Sequence, residues 1–284
     1  MSLSMSKTNT DLLREWRESA EYWKKHAQTI RTMFAPVTQA LIEEAGIMEG
    51  KAVLDVAGGP GEPSITIAEL VGSSGSVTCT DAVAEMVAAA ESEANRRGLT
   101  NMVFRQCVAD SLPFETNSFD VVVSRLGAMF FPDPLVALRE MLRVTKSEGV
   151  LSFAVWAKSE LNPFAYLVTN AISRFIEMPP ADPDVPGAFR FAEEGKLARI
   201  LTEAGASEVR ERSLAFRIEA LISRQEFWEL RSGTSGTLRE KLASLPTVQA
   251  RRASLEVQEA VREFFPNDQM SFPAQMIIVT GIKP

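Results

Sequence analysis

Histidine occurs once in these 284 residues, and cysteine and tyrosine twice each. Two thiols, Cys79 and Cys107, make no disulfide framework. With His26 as the single imidazole, a Cys/His zinc site has too few ligands, so no metal is expected. Basic side chains are in the minority, 30 against 37 acidic ones, for a net charge of −7. A duplex-binding protein needs a cationic footprint to displace counterions, so no nucleic-acid partner is expected. No apolar run approaches the roughly 18 residues of a membrane span. The opening MSLSMSKTNTD is polar and lacks the apolar stretch of a secretory signal, and Met5 is as good a start as Met1. The expected compartment is therefore the cytoplasm. What is present is a chain 45% hydrophobic and 24% charged, enough for a sizeable core.

The chain alternates between two periods. Helical patterns over Asp11–Phe34 and Val37–Ala45 come first. Short β-rich runs then alternate with helical stretches: strand Ala52–Val56, helix Ser64–Val71, strand Ser76–Asp81, helix Val83–Arg97, strand Met102–Cys107. Strand Phe119–Ser124, helix Pro134–Val144 and strand Gly149–Trp156 follow. This order predicts an α/β fold, a doubly wound, mostly parallel sheet with helices on both faces. After Trp156 the rhythm changes. Leu161–Ile176 is a helix, Glu177–Gly187 a proline-rich linker and Glu193–Ala204 a helix stopped by Gly205. Glu208–Ile218 is a strand, Ser223–Phe265 is helical with breaks near Gly233–Gly236 and at Pro246, and Ala274–Gly281 is a last strand. The expected organisation is an N-terminal helical lid over residues 1–45 and one sheet domain over 46–284. Helical insertions at about 157–190 and 222–266 would gather with the lid over one sheet edge.

The segment Val53-Leu54-Asp55-Val56-Ala57-Gly58-Gly59-Pro60-Gly61 carries the most information. Small residues between a strand and a helix let backbone approach a ligand closely. No Gly-Lys-Ser/Thr follows, so it is not a phosphate-binding P-loop. A nicotinamide site shares the first glycines, but Asp55 and Glu62 would face a diphosphate with like charge. S-Adenosylmethionine carries an ammonium, a sulfonium and no phosphate, and it fits that charge pattern. Asp81 ends the next strand, where a carboxylate accepts from ribose hydroxyls in nucleoside sites. Asp110 follows the third strand, where it would accept from an adenine amino group; taken alone it reads better as a cap or turn residue, but three acids at three successive strand ends beside a glycine loop are harder to assign to capping.

On these residues the chain resembles the class I S-adenosylmethionine-dependent methyltransferases, which have a Rossmann-like fold. It looks closest to the small-molecule branch that includes the ubiquinone and menaquinone C-methyltransferases. VLDVAGGPG is similar to the first family motif, with Ala57 where the family has a glycine and Gly58, Gly59 and Gly61 in place. Asp81-Ala-Val-Ala-Glu-Met86 is similar to the second, which implies Asp81 at the ribose and Met86 against adenine. Ala109-Asp110-Ser111-Leu-Pro-Phe114 is similar to the third, at the adenine edge. Ser118–Ser124 is similar to the fourth strand, whose end, at Ser124, faces the reacting methyl.

The resemblance implies methyl transfer to a small, apolar or aromatic acceptor by in-line displacement, a reaction that needs orientation in a dry site. A general base is useful only for an acceptor that carries a proton. His26 is the one histidine available for that role, although a half-exposed surface residue beside Lys24 and Lys25 is the favoured reading of it. Tyr22 and Trp23 would line the lid. Arg125 would anchor an anionic acceptor or pair with Asp133. Met129 and Phe130, in the apolar loop Leu126–Pro132, would line the acceptor pocket, with Asn162-Pro163-Phe164 as a further rim. Arg251 and Arg252 belong to a solvated helix face. Two other classes remain open on the residues alone: a nicotinamide-dependent oxidoreductase, and a non-catalytic binding protein that keeps the fold.

Overall fold

In the computed structural model the protein is described over residues 9–176 and 182–284; the polar opening and part of the Glu177–Gly187 linker lie outside them. The N-terminal helical pattern divides into α1 (Asn9–Lys25), α2 (Ala27–Met33) and α3 (Ala35–Glu44). Pro36 in the first turn of α3 explains one division, because proline is tolerated there and not in a helix interior. Then come β1 (Ala52–Val56), α4 (Ser64–Val71), β2 (Ser76–Asp81), α5 (Ala84–Arg96), β3 (Met102–Gln106), β4 (Phe119–Arg125), α6 (Pro134–Val144) and β5 (Thr145–Trp156). The second half holds α7 (Pro163–Ile172), α8 (Lys196–Ala204), β6 (Ser207–Ala220), α9 (Arg224–Thr234), α10 (Gly236–Ala243), α11 (Thr247–Ala260) and β7 (Met270–Ile282).

The strands form one seven-stranded sheet in the order β3-β2-β1-β4-β5-β7-β6. β1 pairs in parallel with β2 and β4, β2 with β3, and β4 with β5. β7 runs antiparallel to both its neighbours. The reason is connectivity. β6 ends at the same rim as β5, α9 to α11 span that rim, and the chain re-enters the sheet at Met270 beside Ala220. A direct return can only run antiparallel. The fold is the expected doubly wound, mostly parallel sheet with helical insertions.

Strand order reverses between β1 and β4, and ligands of open α/β sheets bind at such a point, beyond the carboxyl ends of the strands. The β1 side chains from Val53 to Val56 are buried, as expected for a strand covered on both faces. The principal apolar cluster joins this sheet centre to the helical cap through Phe34, Trp156, Phe164, Phe227 and Phe272. Helix α1 packs on α5 below and on α9 and α10 beside it, while α11 packs on α7 and α9. No described helix is long and apolar enough to cross a membrane.

Candidate functional site

The loop after β1 is held by its neighbours before any ligand is considered. Gly58 N–H donates to the Thr80 carbonyl at 2.8 Å, and the Thr80 hydroxyl donates to the Asp55 carbonyl at 3.0 Å. A Cβ on Gly58 would lie 2.7 Å from Asp55 Oδ2 and 2.8 Å from Cys79 Sγ, so only glycine fits. Gly59 has φ +56° and nothing within 4 Å of where its Cβ would be, so its backbone is open to the cavity. Ala57, standing at the glycine position of the family motif, takes the same left-handed region at φ +59°. Gly61 serves packing: a Cβ there would meet Ile65 at 2.7 Å and Ala90 at 3.3 Å.

Asp81 crosses from β2 to this loop. Its Oδ2 accepts from Gly59 N–H at 3.0 Å and its Oδ1 from Val83 N–H at 2.9 Å. Burial raises its pKa from the ordinary carboxylate value, against those backbone hydrogen bonds. Asp81, Met86 and Asp110 all line one cavity with Ala57, Gly58 and Gly59. The opposite wall is aromatic: Trp16, Trp23, Phe34, Phe130 and Phe131. Trp16 meets Phe130 edge-on at 5.0 Å and Trp23 at 5.9 Å.

Asp55 does not line the cavity. It is fully buried beneath the loop, where Oδ2 accepts from the Ser64 hydroxyl at 2.5 Å and the Ser64 N–H at 3.2 Å. Burial pushes its pKa up to about 7, with Ser64 and Arg125 opposing. The repulsion expected between Asp55 and a diphosphate is therefore weaker than a surface-ionised carboxylate would exert. The acids that do line the cavity are Glu62, Asp81, Asp110 and Asp133. Glu62 is held by Arg31 Nε at 3.1 Å and by the Thr66 hydroxyl at 2.8 Å, and burial raises its pKa too. Arg125 is the only cationic side chain among the described lining. A lining of four carboxylates and apolar rings suits a phosphate-free cation with an aromatic base, and it offers a diphosphate one cation, Arg125, already bonded to Thr38 and the Glu62 carbonyl.

Arg125 lines the cavity but is not paired with Asp133. Its Nη1 donates to the Thr38 hydroxyl at 2.8 Å and its Nη2 to the Glu62 carbonyl at 3.2 Å, so it ties α3 to the loop. Asp133 instead caps α6 by accepting from Val136 N–H at 3.1 Å.

The remaining expected residues divide. Trp23 and Phe130 reach the cavity. Tyr22 and His26 line a separate, shallower hollow with Glu229, Ser232 and Arg239; burial and Lys25 lower the His26 pKa. The structure thus brings no imidazole to the cradle. Met129 is 1% exposed and belongs to the core. Ser111 is exposed and Ser124 is buried without a hydrogen-bond partner for its hydroxyl, and neither lines the cavity. Asn162 is a buried brace rather than a rim: its side-chain carbonyl accepts from Gln275 N–H at 2.9 Å and its amide donates to Lys158 and Gln275 carbonyls. Phe164 is core. Leu12, Leu13 and Trp16 of α1 line the cavity without having been expected. The signal was available, because Leu13, Trp16, Ala20 and Trp23 recur at helical spacing along one face.

The profile of the methyltransferase domain family matches residues 47–205. The chain belongs to that family. Its fold is that of S-adenosylmethionine-dependent methyltransferases, so the nicotinamide alternative loses its support. The chain is 41% identical over 128 residues to the ubiquinone/menaquinone biosynthesis C-methyltransferase UbiE of Cellvibrio japonicus, covering 44% of this chain and 51% of that one. It is 34% identical over 131 residues to an uncharacterised protein of Mycobacterium tuberculosis, 46% of each chain. The chain spans about half the length of the curated relatives it matches. Among solved structures, an S-adenosylmethionine-dependent methyltransferase from Aquifex aeolicus superposes with a TM-score of 0.54 at 18% identity, over 93% of this chain and 98% of that one. At that identity the likeness concerns the fold.

Proposed function

We propose that this methyltransferase moves a methyl group from S-adenosylmethionine to a small apolar or aromatic acceptor by in-line displacement. The observation that carries the reading is the cavity itself, a glycine cradle and carboxylates on one side and aromatic rings on the other. The roles are those the family resemblance implies, and the shared cavity lining supports them. Gly58 and Gly59 let the cofactor meet bare backbone, Asp81 accepts from the ribose hydroxyls, Met86 packs on adenine, and Asp110 takes the adenine amino edge. When bound, the cofactor supplies an electrophilic methyl on a good, neutral leaving group. The described residues of the N-terminal segment (9–45) and of the insertions near 157–190 and 222–266 act as the lid that excludes water. The likeness to a quinone-pathway C-methyltransferase supports a cyclic, electron-rich acceptor.

The chain supplies little proton chemistry. Among the described residues, no histidine, lysine or tyrosine lines the cavity. The Cys107 thiol, which does, is pushed up to about 11 by burial. Glu62 and Asp81 are already engaged by protein donors. An acceptor that arrives nucleophilic fits this lining better than one that must first lose a proton to a base.

Calorimetry with S-adenosylhomocysteine tests the cofactor half of the proposal. Tight binding is expected, weakened in Asp81→Ala by roughly 1–3 kcal/mol, the usual cost of orphaned hydrogen-bond partners. No binding by the unaltered chain would overturn the reading. Turnover against phenols, quinols and enolates tests the acceptor half and separates an enzyme from a binding protein of the same fold.

A further inference from the structure

Two tryptophans stand on one face of α1, and their indole N–H groups have different fates. Trp16 and Trp23 are about two helical turns apart, and both line the cavity. The Trp23 N–H donates to the Thr234 carbonyl at 3.1 Å, which fastens α1 to α9. The Trp16 N–H has no acceptor among the described residues, and its nitrogen is not sealed from solvent. An indole N–H that leaves water normally finds a partner, so this half-buried one is available to a ligand.

The surroundings make such a donor scarce. Among the described residues, the lining holds no serine, threonine, asparagine, glutamine, histidine, lysine or tyrosine. Ionised carboxylates only accept, and the Cys107 thiol is a weak donor. Arg125 is committed to Thr38 and the Glu62 carbonyl, as Trp23 is to Thr234. Trp16 also stands between two parts of the lining. It packs against the cluster of Ala20, Val83 and Met86, and it meets Phe130 edge-on at 5.0 Å. Val83 and Met86 belong to the side given above to adenine, and Phe130 to the aromatic wall.

We propose that Trp16 is a specificity-determining residue for the acceptor: its indole N–H donates to an uncharged oxygen, a carbonyl or ether, on a ring that rests against Phe130. This rests on the methyltransferase reading above and narrows its substrate class to neutral rings that carry such an oxygen. Charge selects the neutral form. Glu62, Asp81, Asp110 and Asp133 line the same cavity, and an anionic oxygen would meet them with the one lining cation already bonded. A protonated amine would suit the carboxylates but has no lone pair to receive the N–H. A bare hydrocarbon would leave the indole N–H without a partner once water is expelled, at the cost of an unmade hydrogen bond.

The test is calorimetry on the full chain saturated with S-adenosylhomocysteine, using 1-indanone and indane, which share a carbon skeleton and differ in one carbonyl. The preference for the ketone over the hydrocarbon is expected to fall at least about fivefold in Trp16→Phe, the weight of one neutral hydrogen bond. Indane affinity should hold, because phenylalanine keeps a ring against Phe130. Trp23→Phe removes an N–H already given to Thr234 and should leave the preference within about twofold. Should Trp16→Phe fail to fold, the indole N–H resonances of the four tryptophans in the unaltered protein decide. Indanone is expected to move that of Trp16 downfield and leave that of Trp23 in place, and indane to move neither in that direction. A preference unchanged in Trp16→Phe, an equal fall in Trp23→Phe, an unmoved Trp16 resonance, or no binding of either probe up to its solubility overturns the proposal. Failure of S-adenosylhomocysteine to bind would undo the cofactor reading instead. The ketone preference, measured without it, would then still decide the role of Trp16.

Discussion

The cradle and the cap enclose one cavity by different means. The cradle is polar and local: Asp55 with Ser64, Asp81 with Gly59 and Val83, and Gly58 with Thr80 are hydrogen-bonded within a short stretch of chain. The cap is aromatic and long-range: Phe164, Phe227 and Phe272 come from α7, α9 and β7 and interlock at 5.3 to 5.7 Å between ring centres. A hydrogen-bonded loop is specified by which atoms meet, and one misplaced methyl is felt at once. An apolar layer is specified mainly by volume, and it tolerates substitution that keeps volume. The cradle is therefore constrained residue by residue, while the cap is freer to vary.

The largest expected effect attacks the cradle at its internal cation. Arg125→Ala leaves Asp55 and Glu62 without the charge that offsets them, and is expected to cost about 3–5 kcal/mol in urea unfolding, as breaking a buried charge cluster does. A loss below about 1 kcal/mol would show that the cradle does not depend on that cation.

The next concerns pH. Asp55 has a folded pKa raised to about 7 from 3.8. The folded state then holds a proton that the unfolded state releases. Stability is full below the unfolded value and declines as pH climbs from about 4 through 7, on the order of a few kcal/mol. Asp55→Asn should flatten that part of the stability profile. A slope unchanged in the variant would assign it to other groups.

On the cap side the effects shrink. Trp23→Phe removes the N–H that reaches the Thr234 carbonyl, and about 1 kcal/mol of stability is expected to go with it. S-Adenosylhomocysteine affinity should hardly move; a large drop would mean that cap and cradle are less separable than this comparison has them. Smallest is Ala57→Gly, which relieves a left-handed alanine at the cost of a freer unfolded chain. A gain of no more than about 1 kcal/mol in melting experiments is expected, and a loss would show that the Ala57 methyl, close to Gly127, contributes packing.

The contrast also explains what was legible. β1, the glycine loop and the acid after β2 were readable because their chemistry is consecutive in the chain. Asp55 was placed at the right strand end yet given too direct a role, because its burial beneath the loop depends on Ser64 and α4. The sequence offers Arg125 as an anchor for an anionic acceptor or as a partner of Asp133, while its partners in the fold are Thr38 and Glu62. Asn162 looked like a rim residue because nothing local announces that Gln275 is its partner. His26 is the turn residue between α1 and α2, and its ring lines the hollow shared with Glu229. Errors gathered where a side chain meets one from a distant segment.

One contact has a consequence for how the molecule comes into being. The Trp23 indole and the Thr234 carbonyl that receives its N–H are 211 positions apart. On the ribosome, β1 through β5 emerge and can pair long before residue 234 exists. The parallel half of the sheet is thus synthesised before both the later helices of the roof and β7, the strand that joins β6 to β5.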